Sequence, residues 1–270
     1  ADLDGDTRLD AVIVRDGVSA AYRNLGFHAT TGAWLGFAPS PFTLTTPDAT
    51  SVAVGDVDGS GFRDVVVGAS GPAGTTATRI FLNLGKAAPA DPWLGFATAA
   101  THELDNSATT GVALGDLDND GLLDLVVANS GVAHSVYRNL GPDALEAWQP
   151  FADADVITVA NTASVTAVAI GDLTGDRYAD VVVAVDGGPA RVYVNAGSIA
   201  DTVPTPPSVG WQGLLPGIAL TTTPATPAGR ALALADVDRD GTLDVVLATT
   251  GTPVLFLNRG TDAAGTWRGA

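Results

Sequence analysis

The feature that most constrains the fold is an aspartate-rich segment of nine residues that occurs five times. Its copies occupy residues 2–10, 56–64, 116–124, 172–180 and 236–244. Their leading aspartates are 54 to 64 residues apart. That period is too long for one coil of a β-helix and matches a four-stranded propeller blade. The spacing therefore predicts a repeat protein.

Each repeat contains further landmarks in the same order. A continuous apolar run follows the loop at residues 11–14, 65–67, 125–127, 181–183 and 245–247. Unbroken runs of β-branched residues are typical of strands buried on both faces. The next strand ends in Asn-x-Gly, which is a turn signal, at Asn24, Asn83, Asn139, Asn195 and Asn258. Helical periodicity is absent, so the sequence predicts an all-β fold.

We therefore expect one β-propeller domain over residues 1–270, built from four-stranded blades. The five repeats are approximately residues 1–48, 49–107, 108–163, 164–228 and 229–270. Only Ala1 precedes the first loop, so the first blade is expected to be incomplete. We expect the chain to be part of a longer protein, whose neighbouring domains or residues complete that blade.

The loop pattern Asp-x-Asp-x-Asp-Gly-x-x-Asp, followed by a valine-rich strand, resembles the FG-GAP or VCBS repeat family. The propellers of that family include the ligand-binding heads of integrin α subunits. The resemblance covers essentially the whole chain, because the pattern recurs five times in register. It implies a calcium-binding propeller with a role in binding or adhesion.

The loops also predict calcium sites from their own chemistry. We number the positions of each loop from 1, the leading aspartate, to 9. Oxygens at positions 1, 3, 5 and 9, with the position-7 carbonyl, can surround one hard cation, and calcium accepts six to eight oxygens in irregular geometry whereas magnesium demands an octahedron. The predicted side-chain ligands are Asp2, Asp4, Asp6, Asp10, Asp56, Asp58, Ser60, Asp64, Asp116, Asp118, Asp120, Asp124, Asp172, Thr174, Asp176, Asp180, Asp236, Asp238, Asp240 and Asp244. The predicted backbone carbonyl ligands belong to Arg8, Phe62, Leu122, Tyr178 and Thr242.

We expect about one structural calcium ion per repeat, up to five, because three or four carboxylates in one loop repel each other without a cation. Loops two and four have a neutral hydroxyl, from Ser60 and Thr174, in place of one carboxylate. These two loops are expected to bind calcium more weakly than the other three. The alternative is that the Asp-Gly segments only form hairpin turns. An EF-hand is excluded, since its glutamate at position 12 is replaced by apolar residues such as Val67.

The acidic composition limits the possible partners. The net charge is −17, and all acidic residues except Glu103 and Glu146 are aspartate. Nucleic acid is excluded because phosphate contacts require clustered Lys and Arg, and no apolar segment is long enough for membrane insertion. The chain has no Cys. Calcium can replace disulfides as the stabilising element outside the cell, where it is abundant, so an extracellular location, secreted or on the cell surface, is predicted.

Every tryptophan occupies one position of the repeat: Trp34, Trp93, Trp148, Trp211 and Trp267. One interpretation is a wedge that fills the outer part of each blade. The other is a ligand platform on which sugars stack, as in some propeller lectins that the repeats resemble.

No catalytic motif is present, and the chain is not expected to be an enzyme. The three histidines, His28, His102 and His134, share no ligand spacing and are expected to be exposed loop residues. The predicted function is an extracellular binding or adhesion module for a protein or glycan. The alternatives are a purely structural unit of a surface filament or large secreted protein, and a non-catalytic accessory domain of an enzyme.

Overall fold

The computed structural model shows an all-β chain, with no helix among the residues that it describes. These are residues 1–38, 42–72, 77–88, 90–97, 99–104, 108–142, 148, 151, 154–157, 164–197, 211–221, 228–261 and 267–269. Their named strands form five small antiparallel sheets, each a meander in which consecutive strands pair. The fold class predicted from the sequence is confirmed as all-β.

The sheets follow the repeats in order. The first sheet contains β1 (Ala11–Ile13), β2 (Gly17–Tyr22) and β3 (Phe42–Thr46). The second contains β4 (Ala49–Gly55), β5 (Asp64–Ala69), β6 (Thr78–Phe81) and β7 (His102–Leu104). The third contains β8 (Thr109–Gly115), β9 (Asp124–Asn129), β10 (His134–Tyr137) and β11 (Ala154–Ile157). The fourth contains β12 (Val165–Gly171), β13 (Asp180–Val185), β14 (Arg191–Tyr193) and β15 (Ile218–Ala219), and the fifth contains β16 (Gly229–Ala235), β17 (Asp244–Thr249) and β18 (Val254–Phe256).

The aspartate-rich loops connect the first two strands of sheets two to five. In the second sheet, for example, the pairing of β4 with β5 ends at Gly55 opposite Asp64, directly beside the loop. The first sheet has three described strands, all of them after its loop. The incompleteness of the first blade stays a prediction.

In repeats two to five, the strand after the loop is an inner strand of its sheet. All residues of β5, β9 and β13 are buried, although successive side chains of a strand point to opposite faces. Both faces of these strands are therefore covered, as the continuous apolar runs predicted.

The chain divides into two compact units. The first comprises Ala1–Thr109 with Gly141–Pro150, and the second comprises Thr110–Leu140 with Phe151–Ala270. The core of the first unit contains Leu3, Ala21, Leu44, Val65, Val67, Phe81, Trp93 and Phe96. The second unit has two apolar clusters, one around Leu117, Val183 and Tyr193 and the other around Leu173, Val182 and Leu247.

The histidine prediction was wrong for two residues. His134 lies within β10 and is only 1% exposed, and His102 lies within β7 and is partly buried. His28 is exposed outside the named strands, as expected. In the described part of the chain, no helix has the length and apolar character needed to span a membrane.

Candidate metal centres

Each loop curls inward because two of its residues have positive φ. Positions 4 and 6 lie in the left-handed region in all five loops, with φ between 60° and 90°. Glycine occupies both positions in loop two, but Thr7, Arg177 and Arg239 adopt the same conformation without being glycine. Left-handed backbone costs such residues roughly 1–2 kcal/mol. The hydrogen bonds of the loop must therefore impose its shape.

The leading aspartate supplies many of those hydrogen bonds. The carboxylate of Asp2 accepts from the N–H groups of Gly5, Asp6 and Thr7 at 2.8–3.1 Å. The leading aspartates of the other four loops also accept from one or more loop amides. Position 1 thus folds the loop around its own carboxylate.

The aspartate at position 9 joins the loop to the rest of the repeat. Oδ2 of Asp64 accepts a hydrogen bond from the N–H of Val57 at position 2, and Oδ1 accepts from the N–H of Asn83, both at 2.8 Å. The same pair of bonds occurs at Asp10, Asp124, Asp180 and Asp244. This aspartate therefore has a structural role in addition to its predicted role as a ligand.

Four loops bring three carboxylates together. In each group, one oxygen from every carboxylate lies within 4.8 Å of the others, and the groups are Asp2, Asp4 and Asp6; Asp56, Asp58 and Asp64; Asp116, Asp118 and Asp124; and Asp236, Asp238 and Asp244. Ligands at about 2.3–2.6 Å on different sides of one calcium ion would have such separations. The oxygens are therefore close enough to share a cation.

The donor groups fit a cation because some carboxylate oxygens have no donor of their own. Asp4 is 4% exposed, and its Oδ1 is buried with no hydrogen-bond partner among the described residues. Oδ1 of Asp56 is in the same situation. Burial, followed by the charges of Asp6 and Asp10, raises the pKa of Asp4. An unpartnered oxygen within a group of carboxylates is a natural ligand for a hard cation.

Other loop aspartates also have raised pKa values, chiefly because they are buried. Burial raises the pKa of Asp64 and of Asp124 to about 7, although two backbone N–H groups donate to each and lower it. Burial and then the charge of Asp120 raise the pKa of Asp118 to about 6. These carboxyl groups resist ionisation in the folded chain without a cation. A bound divalent ion would reverse that preference.

Loop four differs from the others. Oγ1 of Thr174 donates to Oδ1 of Asp172 at 3.4 Å, and no group of three converging carboxylates is found in the described residues of this loop. Burial raises the pKa of Asp180 to about 6. Weaker binding at loops two and four stays a prediction. Ligation by the position-7 carbonyls also stays a prediction, although the position-7 N–H groups donate to the position-5 side chains.

Sequence reasoning missed a link between the asparagine of the turn and the tryptophan. The indole Nε1 donates to the asparagine Oδ1 in four repeats, at 2.7–2.9 Å, in the pairs Trp34–Asn24, Trp93–Asn83, Trp211–Asn195 and Trp267–Asn258. Trp93 is 6% exposed, whereas Trp34 is 54% exposed. Trp93 therefore fits the interpretation of a packing wedge. Of these two residues, only Trp34 has a ring that is open to a ligand.

The same asparagines also connect successive repeats. Nδ2 of Asn83 donates to the carbonyl of Leu3, at position 2 of the preceding loop, at 2.8 Å. The amides of Asn195 and Asn258 make the equivalent bond to Leu117 and Leu173. A side chain that follows the β6 strand or its equivalent thus holds the aspartate-rich loop of the repeat before it.

Comparison with known proteins agrees with this repeat geometry. The family model of the FG-GAP-like repeat matches residues 2–67, 56–127, 116–183 and 172–247, and each match runs from one loop to the strand after the next. No curated protein matches the chain.

Two crystal structures of BBS1N in complex with ARL6DN are similar to the chain. The one soaked with lead is 15% identical, with a TM-score of 0.40, over 73% of this chain and 50% of that chain. This chain therefore spans half the length of that protein. The one soaked with mercury is 13% identical, with a TM-score of 0.40, over 93% of this chain and 75% of that chain. Likeness at this level supports no conclusion about function.

Proposed function

Because the chain belongs to the FG-GAP-like repeat family, we propose that it is a calcium-stabilised β-propeller that acts outside the cell as a binding or adhesion module. Its five sheets would be the blades, and its partner would be a protein or a glycan. It would have no catalytic activity of its own.

The observation that carries the calcium assignment is the environment of Asp4. This side chain is 4% exposed, its Oδ1 has no hydrogen-bond donor among the described residues, and it shares a 4.8 Å group with Asp2 and Asp6. A hard divalent cation would give this oxygen a partner and neutralise the group. The bound ion would supply only charge and a cross-link between the carboxylates of Asp2, Asp4 and Asp6.

Oxygen ligands and an irregular loop favour calcium over the other common divalent ions. The side chains that converge are all carboxylates, whereas zinc sites use mainly Cys and His. Magnesium needs an octahedron at about 2.0–2.1 Å and retains several waters. Extracellular modules bind calcium with dissociation constants of about 10⁻⁴ to 10⁻³ M, and calcium is available at such levels outside the cell.

A surface that could contact a partner lies in the first repeat. Bridges between Asn24 and Phe37 and between Phe27 and Trp34 form a small hairpin over residues 24–37. Its large apolar side chains are 38–71% exposed, namely Leu25, Phe27, Trp34, Leu35 and Phe37. An exposed patch of apolar and aromatic side chains is typical of an interaction site.

The calcium part of the proposal is tested with the whole chain. Thermal unfolding would be followed in chelator and in 2 mM calcium (roughly the extracellular level), with magnesium as the comparison ion. A rise in the midpoint with calcium, together with several bound ions in equilibrium dialysis, would support the proposal. The same midpoint in all three solutions would refute it.

The partner is tested separately by glycan-array and cell-surface binding. The variant Trp34→Ala with Phe27→Ala removes the exposed rings, and Leu84→Ala is the control, because Leu84 is also about half exposed but lies in the second repeat. Binding that is lost only in the double variant would support the hairpin as the contact surface. Binding that is unchanged would exclude it.

A further inference from the structure

Two metal loops have an arginine beside the buried aspartate at position 3. Nη1 of Arg23 lies 3.6 Å from Oδ2 of Asp4, and Nη1 of Arg138 lies 3.9 Å from Oδ2 of Asp118. Both aspartate side chains are almost completely buried, with exposed fractions of 6% and 2%. The guanidinium group of an arginine therefore already lies beside each of these two carboxylates.

Both arginines occupy the same position of the repeat. Each directly precedes the asparagine whose N–H donates to the position-9 aspartate, at 2.7 Å in repeat one and 2.8 Å in repeat three. That hydrogen bond places the preceding residue next to the loop. The equivalent residues of the other repeats are aliphatic: Leu82, Val194 and Leu257.

The arginines accompany loops of high charge. Loops one, three and five each have four carboxylates, whereas loops two and four have three and a hydroxyl. Loops one and three have the arginine, and loop five has Leu257 in its place. When only the predicted ligand side chains and this arginine are counted, loops one to four each have a charge of −3 and loop five has −4, and in loop one Arg8 also pairs with Asp6.

We propose that Arg23 and Arg138 are internal counter-ions that stabilise loops one and three without calcium and lower their affinity for it. This inference rests on the calcium-binding function proposed above. Loop five would then bind calcium most tightly and would depend on it most. The four-carboxylate loops would therefore differ in affinity, in addition to the weaker binding expected from Ser60 and Thr174.

The effect should be larger at loop three. A guanidinium beside a bound divalent ion repels it, and the repulsion decreases as solvent screens the charges. The side chain of Arg138 is 27% exposed, whereas that of Arg23 is 42% exposed. Removing the charge should tighten calcium binding about tenfold at loop three and about threefold at loop one.

The test uses the full chain with Arg138→Leu and Arg23→Leu, since leucine occurs at the equivalent position of two other repeats. Calcium titrations would be followed by NMR at the amides of Gly5, Gly121 and Gly241, which report loops one, three and five separately. Thermal midpoints would be measured in chelator. The reciprocal variant is Leu257→Arg, at a residue that is 43% exposed.

The expected signature is two shifts of opposite sign. Arg138→Leu should lower the midpoint in chelator and yet tighten calcium binding at Gly121, while Leu257→Arg should weaken calcium binding at Gly241. An arginine that only packs would lower stability without tightening the binding. If calcium affinity is unchanged in both Arg138→Leu and Leu257→Arg, the counter-ion proposal alone is overturned. A wild-type chain that binds no calcium would overturn both this proposal and the function on which it rests.

Discussion

The indole Nε1 of Trp93 donates a 2.7 Å hydrogen bond to Oδ1 of Asn83, and both residues are buried. The amide Nδ2 of Asn83 in turn donates to the carbonyls of Leu3 and Arg63, so one side chain connects a tryptophan, its own loop and the preceding loop. The stability of the first aspartate-rich loop therefore depends on a residue of the next repeat that is not among its predicted ligands.

Replacing that asparagine should be costly. Asn83→Ala leaves the indole N–H and the buried carbonyl of Leu3 without their partner, and each loss costs about 1–3 kcal/mol. We expect the free energy of unfolding in urea to fall by about 2–4 kcal/mol. Asn24→Ala is the control, because Nδ2 of Asn24 donates to Leu9 within its own loop and Trp34 is half exposed. Equal losses in the two variants would contradict this account.

Neutralising one loop carboxylate should have opposite effects with and without calcium. Asp58 belongs to the converging group of loop two and is not fully buried. Asp58→Asn removes a repulsive charge, so the midpoint in chelator should rise by a few degrees. Adding calcium should raise the thermal midpoint of the variant less than that of the wild-type chain, because the variant has one charged ligand fewer. A variant that is less stable than wild type in both solutions would show that Asp58 is structural.

The stability of the calcium-free chain should fall as the pH rises. Burial raises the pKa of Asp64 and Asp124 to about 7 and that of Asp118 and Asp180 to about 6. Because these folded-state values exceed the unfolded value, the stabilisation is complete below the unfolded pKa and is lost as the pH rises through about 6 to 7. In chelator, the midpoint should therefore be lower at pH 8 than at pH 6.

Calcium should remove or reverse this trend, because the bound ion favours the ionised carboxylates and protons compete with it. His134 acts in the opposite direction at lower pH, since burial lowers its pKa to about 4. Because the unfolded chain binds this proton more readily, His134 lowers the free energy of unfolding as the pH falls below the ordinary histidine pKa of about 6.5. The comparison is therefore made between pH 8 and 6. If the chain in chelator is more stable at pH 8 than at pH 6, the prediction is contradicted.

The repeats and their central strands could be predicted from the sequence because both are local patterns. The valine-rich runs became β5, β9 and β13, each buried along its whole length. The clustering of loop aspartates could be predicted for the same reason, since residues within one nine-residue loop lie close together whatever the tertiary structure.

The links between segments could not be predicted in this way. The bonds from Asp64 to Asn83 and from Asn83 to Leu3 join residues 19 and 80 positions apart. Which groups meet over such distances depends on strand register and on the packing of one sheet against the next. His134 was misjudged because its burial follows from the pairing of β10 with its two neighbouring strands and not from its own polarity. A nearly constant spacing of 9 or 10 residues in three Asn–Trp pairs was the available signal.

The left-handed residues of loop five give a matched pair of backbone variants. Arg239 has φ of 64° without being glycine, and Gly241 has φ of 90° with no other atom within 4 Å of the place that a Cβ would occupy. Arg239→Gly should raise the free energy of unfolding by about 0.5–1 kcal/mol, and Gly241→Ala should lower it by about 1–2 kcal/mol. Both would be measured in urea with saturating calcium. The same sign of change in the two variants would exclude backbone strain as the cause.

The two interpretations of the repeated tryptophan predict different costs of truncation at Trp93 and Trp34. The Trp93 ring packs edge-on against Phe42 and Phe96, with centroids 4.4 and 5.4 Å away, whereas Trp34 is half exposed and packs against Phe37 at 5.5 Å. Trp93→Ala should cost about 3–5 kcal/mol, as expected for a large buried aromatic side chain. Trp34→Ala should cost about 1 kcal/mol, because most of its ring is not buried. Trp93→Phe keeps most of the ring and loses only the donor to Asn83, so it should cost about 1 kcal/mol. Urea unfolding in calcium measures all three, and a Trp34 variant as unstable as the Trp93 variant would mean that the first repeat also uses its tryptophan as a packing wedge.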